Sequence, residues 1–186
     1  MTAAAKPARS KPEPGLDDEV RIGRLRAANI NPRTGLATDY LNHFNEAIML
    51  LEMMPSVPDC KEDFLTWRPL SYCGHFAQSR FRYRDLAIAA YDVADPKYRN
   101  EIDQLARHMS MILLATCEAM RSNDLSPHTL GVLAETTARW LRPLVARAGS
   151  VINGEVEEAS LVSHDAAPQD TIDALFDREV EEALRA

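Results

Sequence analysis

Two dipeptides, Asp95-Pro96 and Ser126-Pro127, constrain this chain more than any other feature. Each places a short oxygen-bearing side chain directly before a proline. Proline suits the first position of a helix, where its missing N–H has no intrahelical partner to lose. Behind each dipeptide the apolar residues recur at three- and four-residue steps, which lines up one seam along a helix. After Pro96 the seam is Ile102, Leu105, Met109, Ile112, Leu113, Thr116 and Met120. After Pro127 it is Leu130, Leu133, Thr137, Leu141, Leu144 and Ala148. Two long helices are therefore expected, the first running to about Arg121. The second carries Pro143 inside it, which should kink it or end its first half.

The same grammar extends upstream. Thr38 reads as an N-cap for a helix from Asp39 to Met54, whose seam is Ala37, Leu41, Phe44, Ile48 and Leu51. Pro55 and Pro58 stop it, a short helix from Asp59 to Trp67 follows, and Pro69 closes that one. A further helix spans roughly Ser71 to Ala94, burying Tyr72, Phe76, Tyr83, Leu86 or Ala87, Ala90 and Ala94. No alternating strand pattern and no internal repeat occurs. The expectation is an all-α fold, an antiparallel helical bundle of about four main helices in residues 36–149. Residues 1–35 read as a disordered basic leader. A short helix with Val20, Ile22 and Leu25 fits within 16–28, before Asn31-Pro32 and Thr34-Gly35 break it. Residues 150–168 read as an acidic flexible linker and 169–186 as an amphipathic acidic helix.

Charge follows this division. Residues 1–33 hold seven Lys/Arg against four acids, residues 155–186 hold ten acids against two Arg, and the middle is close to neutral. A duplex-binding protein carries a basic stripe on its folded part. Only Arg80, Arg82 and Arg84 approach one, so nucleic acid is not an expected partner. No run of about 18 apolar residues is present to cross a membrane, and no apolar stretch follows the first basic residues as in a secretory signal. Cys60, Cys73 and Cys117 are odd in number, widely spaced and without a Cys-x-x-Cys pair, which fits reduced thiols and a cytoplasmic setting.

Several chemistries lack their residues. There is no Gly-x-Ser-x-Gly elbow and no phosphate-cradling glycine pattern among the seven glycines. Cys73 and His75 are two residues apart and point to different sides of a helix, so Cys73 reads as a packing residue. No cofactor is implied. A metal-binding bundle of the di-iron type needs Glu-x-x-His on two helices and a Glu from each of two others. The chain offers only the reverse, His43-Phe44-Asn45-Glu46, together with His75 and His108 on other helices. These histidines sit at the edges of their apolar seams, where a rim hydrogen bond competes with metal binding as the explanation.

Two features point to a protein partner. Asp39, Asn42, Glu46, Met49 and Met53 share the side of their helix opposite the seam, either a contact surface built on adaptable methionines or a plain solvated face. In the last segment Ile172, Leu175, Phe176, Val180 and Leu184 form one narrow apolar stripe among acids that include Asp173 and Asp177. A tethered helix with such a stripe suits docking into a groove, on this protein or another.

Residues 169–176, reading Gln-Asp-Thr-Ile-Asp-Ala-Leu-Phe, resemble the segments with which flagellar switch proteins and the chemotaxis phosphatase capture a CheY-like receiver domain. In those segments a Gln and an acid precede an Ile-Asp-x-Leu-Leu/Phe core. The resemblance covers about eight of 186 residues. That phosphatase is likewise a helical bundle with a tethered receiver-binding helix, but its acid followed four residues later by Gln has no counterpart here. A related phosphatase group uses an acid and an Asn three residues apart, a spacing that Asp39 and Asn42 satisfy. The expectation is a non-enzymatic regulatory or adaptor protein that docks a partner, such as a response-regulator receiver, through its acidic C-terminal helix. The alternatives are an auxiliary phosphatase using Asp39 and Asn42, or a metal bundle using His43, Glu46, His75 and His108. Homodimer formation is the other association the sequence leaves open.

Overall fold

The computed structural model describes residues 16–122 and 125–155. Among these the chain is all-α, with seven α-helices and no strand. They are α1 (Leu16–Ala27), α2 (Asn42–Met53), α3 (Cys60–Thr66), α4 (Tyr72–Gln78), α5 (Arg84–Asp92), α6 (Pro96–Ser122) and α7 (Pro127–Asn153). A 3₁₀ turn, Thr38–Leu41, leads into α2. Among the described residues no helix is long and apolar enough to cross a membrane.

The two proline dipeptides start the two longest helices. Ser126 is extended and its hydroxyl accepts the Thr129 N–H at 3.2 Å, while Asp95 accepts the Lys97 N–H at 2.9 Å. α6 and α7 pack along each other, and α2 lies on α7. Every seam residue expected on α6 is buried, as are Leu130, Leu133, Thr137, Leu141 and Ala148 on α7, with Leu144 half-buried against the core. At the centre of the α6–α7 contact the hydroxyls of Thr116 and Thr137 lie 3.1 Å apart. Each is also within bonding distance of the carbonyl four residues back, so neither polar atom is orphaned by burial. Pro143 does not end α7, which continues to Asn153 and stops at Gly154 with φ +74°, a left-handed cap that donates to the Val151 carbonyl.

Three expectations are corrected. First, the folded part does not begin near Thr38. Leu25, Ala28, Ile30 and Leu36 are buried in the core, so α1 and the turn after it belong to the fold. Asn31-Pro32 and Gly35 do break the helix, but they close a tight reversal in which Ile30 pairs antiparallel with Ala37. Thr34 ties that reversal to the far end of the chain by donating to the Ile152 carbonyl at 2.6 Å. At the other limit the core passes 149 and reaches Val151 and Ile152.

Second, Thr38 is not a helix cap. The Thr38–Leu41 turn starts from Ala37 without a side-chain cap, and the Thr38 hydroxyl instead accepts the Asn29 amide at 3.3 Å.

Third, residues 71–94 are two helices, not one. Ser79 is extended after α4 and its hydroxyl donates to the Phe76 carbonyl at 3.0 Å, a side-chain bond that competes with continued helix. The break lets Phe81 fold back to 5.5 Å from the Phe76 ring, and α5 packs on α4.

Candidate functional site

The partner-binding stripe Ile172, Leu175, Phe176, Val180 and Leu184, with Asp173 and Asp177, lies outside the described residues. The other candidates can be placed. On α2, Met49 is 51% and Met53 43% exposed, and Val57, one further turn along, is also exposed. Asn42 and Glu46 share that open side. Asp39 does not fully join them, being half-buried with its carboxylate accepting the Asn29 side-chain amide at 3.0 Å. The Asp39–Asn42 pair thus straddles the junction of the 3₁₀ turn and α2, with its acid already committed to one hydrogen bond.

The histidines separate. His43 and His75 come together with ring centroids 6.0 Å apart, but Glu46, one turn from His43 on α2, is exposed to solvent. His108 is half-buried on α6. Among the described residues no group of three or more His, Cys, Asp or Glu side chains is placed to hold a metal ion. His43 is held instead by aromatic packing: its ring stacks on Trp67, the Trp67 indole donates to the His43 carbonyl at 3.2 Å, and Nε2 is buried without a partner. Burial, and next the neighbouring His75, push its pKa down to about 4.

A groove that sequence reasoning missed opens where the 69–73 segment meets α6, with a volume of about 680 Å³. Its floor is tyrosine. Tyr72 stacks on Tyr91 at 4.6 Å and lies 5.2 Å from Tyr40. All three hydroxyls are engaged: Tyr40 donates to the Leu70 carbonyl at 2.9 Å, Tyr72 accepts the Ala37 N–H at 2.8 Å, and Tyr91 reaches both Asp103 oxygens at 2.8 and 2.9 Å. The wall on α6 is Asp103, Arg107, Met111 and Leu114, with Met111 and Leu114 exposed. Their spacing marks one face of a helix. It was legible in the sequence, but the buried seam on another face of α6 drew the reading away from it.

Cys73 lines the same groove. Burial, and then the Asp92 and Asp103 carboxylates, raise its thiol pKa above the ordinary value, the opposite of what activates a nucleophile. What the arrangement offers is an apolar, aromatic-floored surface whose hydroxyls already have partners. No protein-family model, curated protein or solved structure matches this chain.

Proposed function

We propose that this chain is a non-enzymatic adaptor, a helical bundle that captures a protein partner through the acidic apolar stripe of residues 169–186. One observation carries the reading: the core is complete without that segment. Phe44, Leu51, Ile102, Leu113, Leu141 and Val151 are buried in a core cluster whose members run from Leu25 to Ile152, and α7 is closed by Gly154 before the acidic stretch begins. On this reading the five large apolar side chains repeating along one side of an otherwise acidic segment serve a partner and not the core. Burying them in a partner's groove is what would repay their exposure to water. The raised pKa of the Cys73 thiol and the engaged tyrosine hydroxyls support binding over catalysis.

The partner of first choice is a response-regulator receiver domain, on the resemblance of residues 169–176. Asp39 and Asn42 give the enzymatic alternative, an auxiliary phosphatase. The two are separated by incubating the full chain with acetyl-phosphate-charged receiver and following both complex formation and phosphate loss. An adaptor forms the complex and leaves the decay rate unchanged. Acceleration that disappears in Asn42→Ala would replace this reading with the phosphatase.

A further inference from the structure

α1 is the least packed helix of the fold. Leu25 anchors it, while Val20 stays 59% exposed, and across from it Val93, just past α5, is 81% exposed. Between the two helices runs a shallow apolar groove of about 340 Å³, floored by Leu25, Leu86 and Ala90. It continues along Val20.

The rim of this groove is basic. Arg21, Arg24, Arg33 and Arg82 stand along it and its continuation. Arg21 faces Asp18 at 3.8 Å, but Arg24, Arg33 and Arg82 have no acidic partner among the described residues. The two acids on the rim are each beside a base of their own, Asp85 with Arg84 at 3.7 Å and Asp95 with Lys97 at 4.0 Å. The rim is thus net positive on a chain whose overall charge is −7.

The described chain leaves the core at this same place. Gly154, the cap of α7, is so close to Arg33 and Thr34 that a Cβ there would meet them at 3.2 and 3.3 Å, and both residues line the groove. From Glu155 to the start of the acidic stripe run residues 156–168. As a free tether they span about 20 Å root-mean-square. Residues 169–186 carry six acids against Arg178 and Arg185.

We infer that the acidic apolar segment 169–186 docks on its own α1–α5 groove, with Leu175 and Phe176 on its apolar floor and its acids facing Arg24, Arg33 and Arg82. The partner-capturing stripe is thereby covered until a partner competes for it. This rests on the reading above that the segment is the capturing element. Tethering makes even a weak contact effective, since a short linker supplies a local concentration on the order of millimolar. The floor is small, and Val20 and Val93 beside it are exposed, so the contact is shallow and reversible, as a competed cover must be.

The test compares amide NMR shifts in the full chain. Leu175→Ala/Phe176→Ala should shift amides along residues 18–27 and 84–93 and leave those beside Met111 and Leu114 in place. Arg24→Glu/Arg82→Glu should, in turn, shift amides of residues 169–186. Both effects should weaken at high salt, because exposed charges are screened. Unmoved α1 and α5 amides overturn the inference, as do shifts centred on Met111 and Leu114. Shifts that vary with protein concentration also overturn it, since they assign the groove to a second copy. Uncovering the stripe should tighten receiver binding by Arg24→Glu/Arg82→Glu about tenfold if the cover is nine-tenths occupied. If neither protein binds receiver while the shifts persist, the adaptor reading fails and the docking stands, since the shifts need no partner.

Discussion

The ring of His43 lies against that of Trp67, centroids 4.9 Å apart and 24° from parallel, and the Trp67 indole donates back to the His43 backbone carbonyl. A histidine that sequence spacing offered as a metal ligand is thus a neutral aromatic plate locking α2 to the end of α3. Its pKa of about 4 against an ordinary 6.5 has a consequence for stability. The unfolded chain takes up the proton first, so the His43 contribution is fully present above pH 6.5 and is lost as pH falls toward 4. Between pH 7 and pH 4.5 that loss is about 2 kcal/mol. His75, also lowered chiefly by burial, works in the same direction. Urea unfolding at the two pH values should show the drop, and His43→Leu should remove most of the His43 share of it.

Tyr72 should be more sensitive than its apolar surroundings suggest. Its hydroxyl is the acceptor for the Ala37 N–H where the 30–37 reversal meets the 3₁₀ turn, and both residues are buried. Tyr72→Phe leaves that N–H unpaired in the core, a cost of about 1–3 kcal/mol. Chemical denaturation checks it. A change under half a kilocalorie would mean that the Ala37 N–H finds another acceptor.

Gly35 and Gly23 should respond to alanine with opposite signs. Gly35 has φ +71°, and a Cβ there would stand 2.8 Å from the Ala90 carbonyl oxygen, a backbone atom that cannot swing aside. Strain and overpacking together put Gly35→Ala at about 2–4 kcal/mol destabilising. Gly23 lies within α1 with nothing within 4 Å of its would-be Cβ, so Gly23→Ala should stabilise the helix by up to about 1 kcal/mol. Paired melting curves decide both.

Deleting residues 1–33 should destabilise the protein by several kcal/mol, because it removes the buried side chains of Leu25, Ala28 and Ile30. The basic, proline-containing composition of this stretch had suggested the reverse. A deletion with an unchanged melting temperature would show that α1 and the reversal contribute nothing to the core.

That contrast shows what a single sequence makes legible. The seams of α6 and α7 could be read residue by residue because long amphipathic helices repeat one signal many times and begin at proline dipeptides. The 25–37 region could not, because its order comes from tertiary bonds: Thr34 to Ile152 spans 118 residues, and Tyr72 to Ala37 spans 35. The Ser79 break was hidden because its neighbours keep a helical period on both sides. For the candidate site, the exposed methionines of α2 were legible as a face. The tyrosine-floored groove was not, because it takes the 69–73 segment, α5 and α6 to build it.

The central claim is that residues 169–186 capture the partner while residues 16–155 supply an independent fold. Its most direct test is a titration of the full chain, with and without Leu175→Ala/Phe176→Ala, against purified receiver domain, with melting curves taken in parallel. The account predicts at least tenfold weaker binding by the double variant, about 1.4 kcal/mol or more, with a melting temperature lowered by no more than the few degrees that losing a nine-tenths occupied cover costs. Undiminished receiver binding by a variant that melts several degrees lower would contradict it, making the segment a structural strut.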